Sequence, residues 1–557
     1  MTSLSPSPER VRLELRYQPL NDTEIRLLKF HSQQSPGDYL KCSLRHFKLN
    51  ESLEFHALSY VWGDPKKTKP ILVNNRKFEV TENLHDALNA LWTLTPTDCW
   101  WWIDSICINQ QNIAERSTQV SRMAQIYSTA HSVTSWLGSD IENIELVDYV
   151  TRSVEKLGRQ KAIASNIREE LGDNWSKFLW AFGGLLLKDW FFRIWTVQEY
   201  ALNVRQLGIV SSYVICMPVL PVILEILIRM KSILTGKDSV AVSIINQTMT
   251  ALGPEFLRLE ISREDWKDRS FAEQMLFIMK FMSNREATQS HDYIYGLLGM
   301  TSRDKLPPAL APDYSLPFGR VYQDYTRYLI ENTGDLRILD CGESRLENFP
   351  SWVPDLRKRR TWKKNPCTIN SVSFSANGDM LTVQGVRLGR ILTYCTKDGR
   401  HPVFFLVDLQ EAILDRSALI RRMSAQEVFR QWTGVFEKKS HLADGYLSRF
   451  RSARELVFHL ADLTENDNYL EYLTDELSTH SYLLLETGDV AACVFHHSRG
   501  SDDEVWAFKG GTNLQILRPH RNAFKLVGHC LDSLITNDFE LDEEFFSQRK
   551  VENIDLI

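Results

Sequence analysis

The chain has 557 residues, 43% hydrophobic and 24% charged: a globular composition, too long for one core, which predicts about two to four domains. A formal net charge of -6 and a pI near 6.2, with no Lys/Arg block and no zinc-finger spacing, argue against a nucleic-acid binder. The nine cysteines are scattered and never spaced as CxxC, and the polar N-terminus lacks a signal-peptide pattern; together these predict reduced thiols in a cytosolic or nuclear protein without a metal.

In chain order, residues 1–50 read as an irregular lead-in that adds an edge strand or two. Phe55–Val61 is the first strong strand, and Trp62, Gly63, Asp64 and Pro65 stop it in a tight turn. Asn74 and Asn75 mark a hairpin, after which Thr81 caps a helix carrying Leu84, Ala87, Leu88 and Leu91 at helical spacing. The run CWWWIDSICINQQN, Cys99–Asn112, reads as a strand buried on both faces, its tryptophans leading into Ile103, Ile106 and Ile108. Asp104 inside this run needs a partner or a solvated cleft, because an unpaired buried charge is expensive. Two readings stay open: Asp104 satisfies a backbone N–H or an arginine, or it stands where a strand opens on a ligand crevice, followed by the polar turn of Asn109, Gln110, Gln111 and Asn112. A second helix, with Ile113, Val120, Met123, Tyr127 and Ala130 on one side, feeds the strand Ser132–Leu137, which ends at Gly138, Ser139 and Asp140.

Strand, helix, strand, helix, strand predicts a parallel α/β sheet with ligands at the carboxyl ends of its strands. Asp64, Asp104 and Asp140 should then lie along one edge. No glycine-rich phosphate fingerprint is present, so side chains must read the ligand.

Residues 141–188 read as a charged helical insertion, and Asp189–Asn203, DWFFRIWTVQEYALN, as one helix capped by Asp189. A continuous helix places Phe192, Trp195, Glu199 and Leu202 on one face, so Glu199 interrupts an aromatic stripe. It is either a structural ion pair, with an arginine such as Arg193, or a catalytic carboxylate set among aromatics. The second reading puts Glu199 at the rim of a pocket near Trp62 or Asp104, with Arg193 pointing elsewhere. The uncharged run Leu207–Leu224 reads as a buried strand through Cys216 and a helix beginning near Pro218 and Pro221, rather than as a membrane span.

The motifs SYVWGDP (Ser59–Pro65), WIDSICINQQN with Glu115 and Arg116, QVSRMAQIYSTA (Gln119–Ala130), VTSWLG (Val133–Gly138) and RIWTVQE (Arg193–Glu199) together resemble the heterokaryon-incompatibility (HET) domain of filamentous fungi. HDYIYGLLG (His291–Gly299), PDYS (Pro312–Ser315) and SWVPDL (Ser351–Leu356) resemble its usual continuation, so the likeness covers about the first two thirds of the chain. It implies a cytoplasmic fungal protein of non-self recognition and programmed cell death, working through self-association or another incompatibility protein. The HET domain is in turn similar to TIR domains, whose NAD-cleaving members carry a catalytic glutamate on the helix with a WC..E motif. On that likeness Glu199 is the catalytic residue, and Tyr60, Trp62, Gly63, Asp64, Asp104, Asn109 and Gln110 form the nucleotide side of the site, with NAD as substrate and no permanently bound cofactor. Thr196 stands where TIR domains usually have cysteine. The alternative implied by the same family is a non-catalytic signalling module.

Ser290 and Gly299 read as the cap and stop of a helix whose Tyr295, Leu297 and Leu298 bury against the sheet, a structural role. Phe318, Val321, Tyr322, Tyr325 and Leu329 predict a core helix stopped by Gly334. Beyond, a hairpin at Ala376–Gly378, a helical stretch at about 408–475 and short strands to residue 530 suggest a small barrel or sandwich. The adjacent His496 and His497 would point to opposite strand faces and could not share a metal. The organisation predicted is a HET domain at 51–204 with a TIR-like parallel sheet, a helical continuation at 205–362, and a β-rich region at 363–557.

Overall fold

The computed structural model describes residues 15–21, 23–32, 39–158, 167–230, 261–262, 264–279, 285–302, 305–341, 345–357, 372–395, 481–485, 490–495, 502–509, 511, 513–532 and 543–557. It forms two compact units, Met1–Phe318 and Gly319–Ile557.

In the first unit the strands are β1 (Glu24–Phe30), β2 (Lys41–Lys48), β3 (His56–Ser59), β4 (Thr68–Val73), β5 (Arg76–Thr81), β6 (Trp100–Trp102), β7 (Ser132–Trp136), β8 (Gln206–Val210) and β9 (Tyr213–Cys216). They build one nine-stranded sheet in the order β5-β4-β2-β1-β6-β3-β7-β8-β9. Its centre, β6-β3-β7-β8, is parallel, as the alternating pattern requires, and antiparallel pairs flank it. The parallel strands therefore end along one edge, where Tyr60, Asp104 and Leu137 follow them.

Local signals account for much of this. Asn74 and Asn75 both adopt positive φ, the two-residue turn that joins β4 to β5. Thr81 accepts from the Leu84 N–H and starts α1 (Glu82–Leu94), whose Leu84, Ala87, Leu88 and Leu91 bury against the sheet with Leu58, Ile71 and Trp101. On the opposite face Trp102 meets Tyr127 of α3 (Ile113–Thr129) edge to face at 5.4 Å. Alternation along β6 thus sends successive tryptophans into cores on opposite sides.

Several expectations need correction. The lead-in supplies an interior strand: β1 lies between β2 and β6, with Ile25, Leu27 and Leu28 fully buried. Its Arg26 is 1% exposed and forks onto both carboxylate oxygens of Glu115 at 2.6 and 3.1 Å, while also donating to Cys107 O. The tryptophan strand stops at Trp102, and Asp104–Cys107 forms a helical turn, α2, that buries Ile106 through the turn rather than the pleat. Ile113 is 55% exposed at the first position of α3 and packs no core. Residues 206–216 make a hairpin instead of one strand, because Ser211 takes positive φ and reverses the chain. The insertion does form helices, α4 (Ile144–Leu157), α5 (Ile167–Leu171) and α6 (Trp175–Leu186), which share a core with α8 (Leu220–Met230) beside the sheet. Among the described residues no helix is long and apolar enough to cross a membrane.

Phe318–Thr333 is the expected helix, with Val321, Tyr322, Tyr325 and Leu329 buried and Gly334 at positive φ. The strands β10 (Ser373–Phe374), β11 (Leu381–Cys395), β12 (Ser481–Leu485), β13 (Val490–Phe495), β14 (Glu504–Phe508), β15 (Leu514–His520), β16 (Ala523–Asp532) and β17 (Glu552–Leu556) follow. Pairing runs β11-β12-β13-β16-β15-β14 and returns to β11, so the small barrel is closed. The helical stretch at 408–475, the turns at Gly488 and Gly510, and His496 and His497 lie outside the described residues.

Glu115→Ala leaves Arg26 charged and buried without its carboxylate, which should cost about 3–5 kcal/mol. Removing Glu79 from its exposed pair with Lys77 should leave the denaturation midpoint nearly unchanged. Equal midpoints for both variants in chemical denaturation would contradict a clamping role for the Arg26–Glu115 pair.

Candidate functional site

A solvent-open cleft lies at the carboxyl ends of β3 and β6. Trp62, 37% exposed, follows β3 and donates its indole N–H to Asp104 Oδ2 at 2.7 Å. Asp104 Oδ1 accepts from the Ser105 N–H at 2.7 Å, and Gln110 returns to Asp104 O at 3.0 Å. Asp104 is thus held by an indole and a backbone N–H, and it lines the cleft together with Trp62 and Gln110.

The other expected residues stand outside the lining. Tyr60 is buried and donates to Ser105 Oγ at 2.6 Å, and its hydroxyl is pushed well above the usual tyrosine range by burial. Gly63 takes positive φ in the turn, where an added Cβ would meet Asn83 Cβ at 3.1 Å. Asp64 caps that turn by accepting from the Lys66 N–H. Asn109 gives its N–H to Glu115 at 2.8 Å, beside the Arg26 clamp. Asp140 pairs with Lys188 at 2.8 Å.

The segment carrying Glu199 differs from the single helix expected. Asp189–Phe192 is a tight 3-10 turn, Arg193 is extended, and the helix α7 spans Trp195–Ala201. The break has a cause: Ile194 N donates to Glu286 O at 2.9 Å and Glu286 N to Phe192 O at 2.6 Å, a strand-like bridge that a helix could not make. Thr196 Oγ1 donates to Arg193 O and Trp190 O at 2.8 and 3.0 Å, tying the break to the helix start. Counting positions around one continuous helix therefore misplaces Arg193. Its guanidinium reaches Tyr60 O, lies 5.7 Å from the Trp62 ring and lines the cleft.

Glu199 sits one layer behind, 3% exposed and absent from the lining, rather than at the rim. Ser59 donates to its Oε2, and Ser59 Oγ in turn accepts from Trp190 Nε1 at 2.7 Å. Burial pushes the carboxyl up to about 7, against the opposing pull of Arg193 and the Ser59 hydrogen bond, while the charge of Asp104 adds to the rise. No arginine forms a bidentate pair with it among the described residues.

Sequence reasoning missed half of the cleft. Thr288, Gln289, Asp292 and Tyr314 line it, together with Arg116, Met123 and Trp195. In the HDYIYGLLG segment Tyr295, Leu297 and Leu298 are buried, Gly299 lies against Gln198 and Ala124, on α7 and α3, and α9 (Asp292–Tyr295) begins without a side-chain cap. Its signal was present as a polar aspartate beside tyrosines, in a motif read as structural. Among the described residues no group of three or more His, Cys, Asp or Glu side chains could hold a metal.

Residues 55–199 match the family model described as heterokaryon incompatibility protein (HET), so β3 through α7, with one side of the cleft, is a HET domain. The chain therefore carries a HET domain over these residues. It is 26% identical over 431 residues to heterokaryon incompatibility protein 6, OR allele, of Neurospora crassa; the match covers 64% of this chain and 61% of that relative's length. No solved structure matches.

Glu199 also makes stability depend on pH. The unfolded chain releases this proton near the ordinary value of 4.5 and the folded chain near 7, so stability is greatest below about 4.5 and declines as pH rises through about 7, by on the order of 3 kcal/mol. Glu199→Gln should lack this component. Unfolding free energies of the two forms at acid and mildly alkaline pH should therefore diverge; parallel curves would contradict the burial of an ionisable Glu199.

Proposed function

We propose that this protein acts in fungal non-self recognition and the cell death linked to it, and that its strand-end cleft takes NAD. The observation that carries this reading is the cleft's composition. Arg116 and Arg193 offer cations for a pyrophosphate, Trp62, Trp195 and Tyr314 offer rings for a base, and Asp104 and Asp292 offer acceptors for hydroxyls. These groups gather at the edge where parallel α/β sheets receive ligands.

Cleavage of the bound NAD follows from the likeness to TIR domains. The bond from the ribose C1′ to the nicotinamide nitrogen breaks, and nicotinamide leaves with the electron pair. Water then adds its hydroxyl at C1′ and releases a proton, giving ADP-ribose. An ionised Glu199 would stabilise the oxocarbenium-like transition state, as glycosidase carboxylates do. To do so it must exchange Ser59 for the ribose.

That requirement favours a second reading, a module that binds its ligand and self-associates or engages another incompatibility protein without turnover. Its supporting observation is that Glu199 is buried, bonded to Ser59 and outside the lining. Nicotinamide release by the purified chain decides between them. Under the cleavage reading wild type releases nicotinamide and Glu199→Gln loses nearly all of it. Binding of NAD with no release, unchanged in Glu199→Gln, would establish the non-catalytic module instead.

A further inference from the structure

The matched domain ends at Glu199, yet the cleft does not. Its second wall comes from residues 285–314, and that wall is fixed to the helix carrying Glu199. The Glu286 bridge to Phe192 and Ile194 is one attachment. Arg285, 4% exposed, is another, reaching Arg193 O and Thr196 Oγ1 at 3.4 Å. Gly299 is the third: a Cβ there would fall 2.1 Å from Gln198 Oε1 and 2.8 Å from Ala124 Cβ, so only glycine lets the wall lie this close.

From this wall Asp292, 8% exposed, lines the cleft. Tyr314 donates to its Oδ1 at 2.7 Å, and the Arg116 guanidinium covers the Tyr314 ring at 4.5 Å. The Tyr314 hydrogen bond orients the carboxyl and leaves it further acceptor capacity. Burial raises its affinity for a proton, and the Tyr314 hydrogen bond, the nearby Trp195 indole and the charges of Arg193 and His291 oppose that rise.

We propose that Asp292 is a ligand-contacting residue supplied from outside the HET domain, which accepts hydrogen bonds from the sugar hydroxyls of a nucleotide while Arg116 and Arg193 take its phosphates. This rests on the nucleotide reading of the cleft and not on cleavage. The test is calorimetric binding of NAD, ADP-ribose and inorganic pyrophosphate to the full chain. Asp292→Asn should weaken NAD and ADP-ribose by about tenfold to a hundredfold, the value of a hydrogen bond to a charged group, and leave pyrophosphate unchanged or tighter. Tyr314→Phe removes one hydroxyl, should weaken the sugar-bearing ligands in the same direction, and carries the test if Asp292→Asn does not fold. Wild-type affinity for all ligands in both variants would overturn the role of Asp292 and leave the nucleotide cleft standing. Equal loss for all three probes would also overturn it, since that is general damage. Failure of wild type to bind any probe would overturn both, whereas binding without nicotinamide release would sustain this inference and remove only cleavage.

Discussion

Burying Glu199 at the end of the parallel strands is the constraint around which the first unit is arranged. Taken out of water, its carboxyl is driven toward neutrality, and the neighbours answer that cost in layers. Ser59 donates to it directly, Trp190 fixes Ser59, and Arg193 contributes opposing charge from the cleft side. All of these need the chain to turn out of helix at Arg193. A continuous helix through 189–203 would carry the guanidinium away from Tyr60 O and Trp62, and the cleft would lose a cation.

The break at Arg193 is therefore the joint between the sheet and the second wall. Glu286 satisfies the backbone groups that the missing helical turn leaves open, as buried backbone polar groups demand. Thr196 contributes a hydroxyl that bonds both Trp190 O and Arg193 O and so holds the joint from the helix side. Arg285 caps it from the other, with its own basicity depressed to about 9 by burial. The site is thus assembled by segments far apart in sequence, and the HET domain contributes one side of it.

What could be read from the sequence was what local chemistry determines. Thr81, the Asn74–Asn75 turn, the leucines of α1 and the alternation of strands and helices gave the parallel core and the strand-end edge, where Trp62, Asp104 and Gln110 line the cleft. The rest depends on distant partners. β1 looked irregular because Arg26 and Lys29 interrupt its apolar run, and Arg26 becomes tolerable only through Glu115, 89 residues away. Arg193 was misplaced because the bridge that bends its segment comes from Glu286, and Asp292 was read as structural because Trp195 and Tyr314 reveal its setting only in three dimensions. The closed barrel of the second unit was legible as short strands between turn signals, although its closure through β11 and β14 was not.

The central claim is that ligand binding occurs at the strand-end cleft between the HET domain and the 285–314 segment. Hydrogen–deuterium exchange of the full chain with and without saturating NAD tests it directly. The account predicts slowed exchange on NAD addition in residues 60–64, 104–110, 190–199 and 286–293, the two walls together. Protection confined to residues 319–557, or an exchange pattern that NAD leaves unaltered, would contradict it.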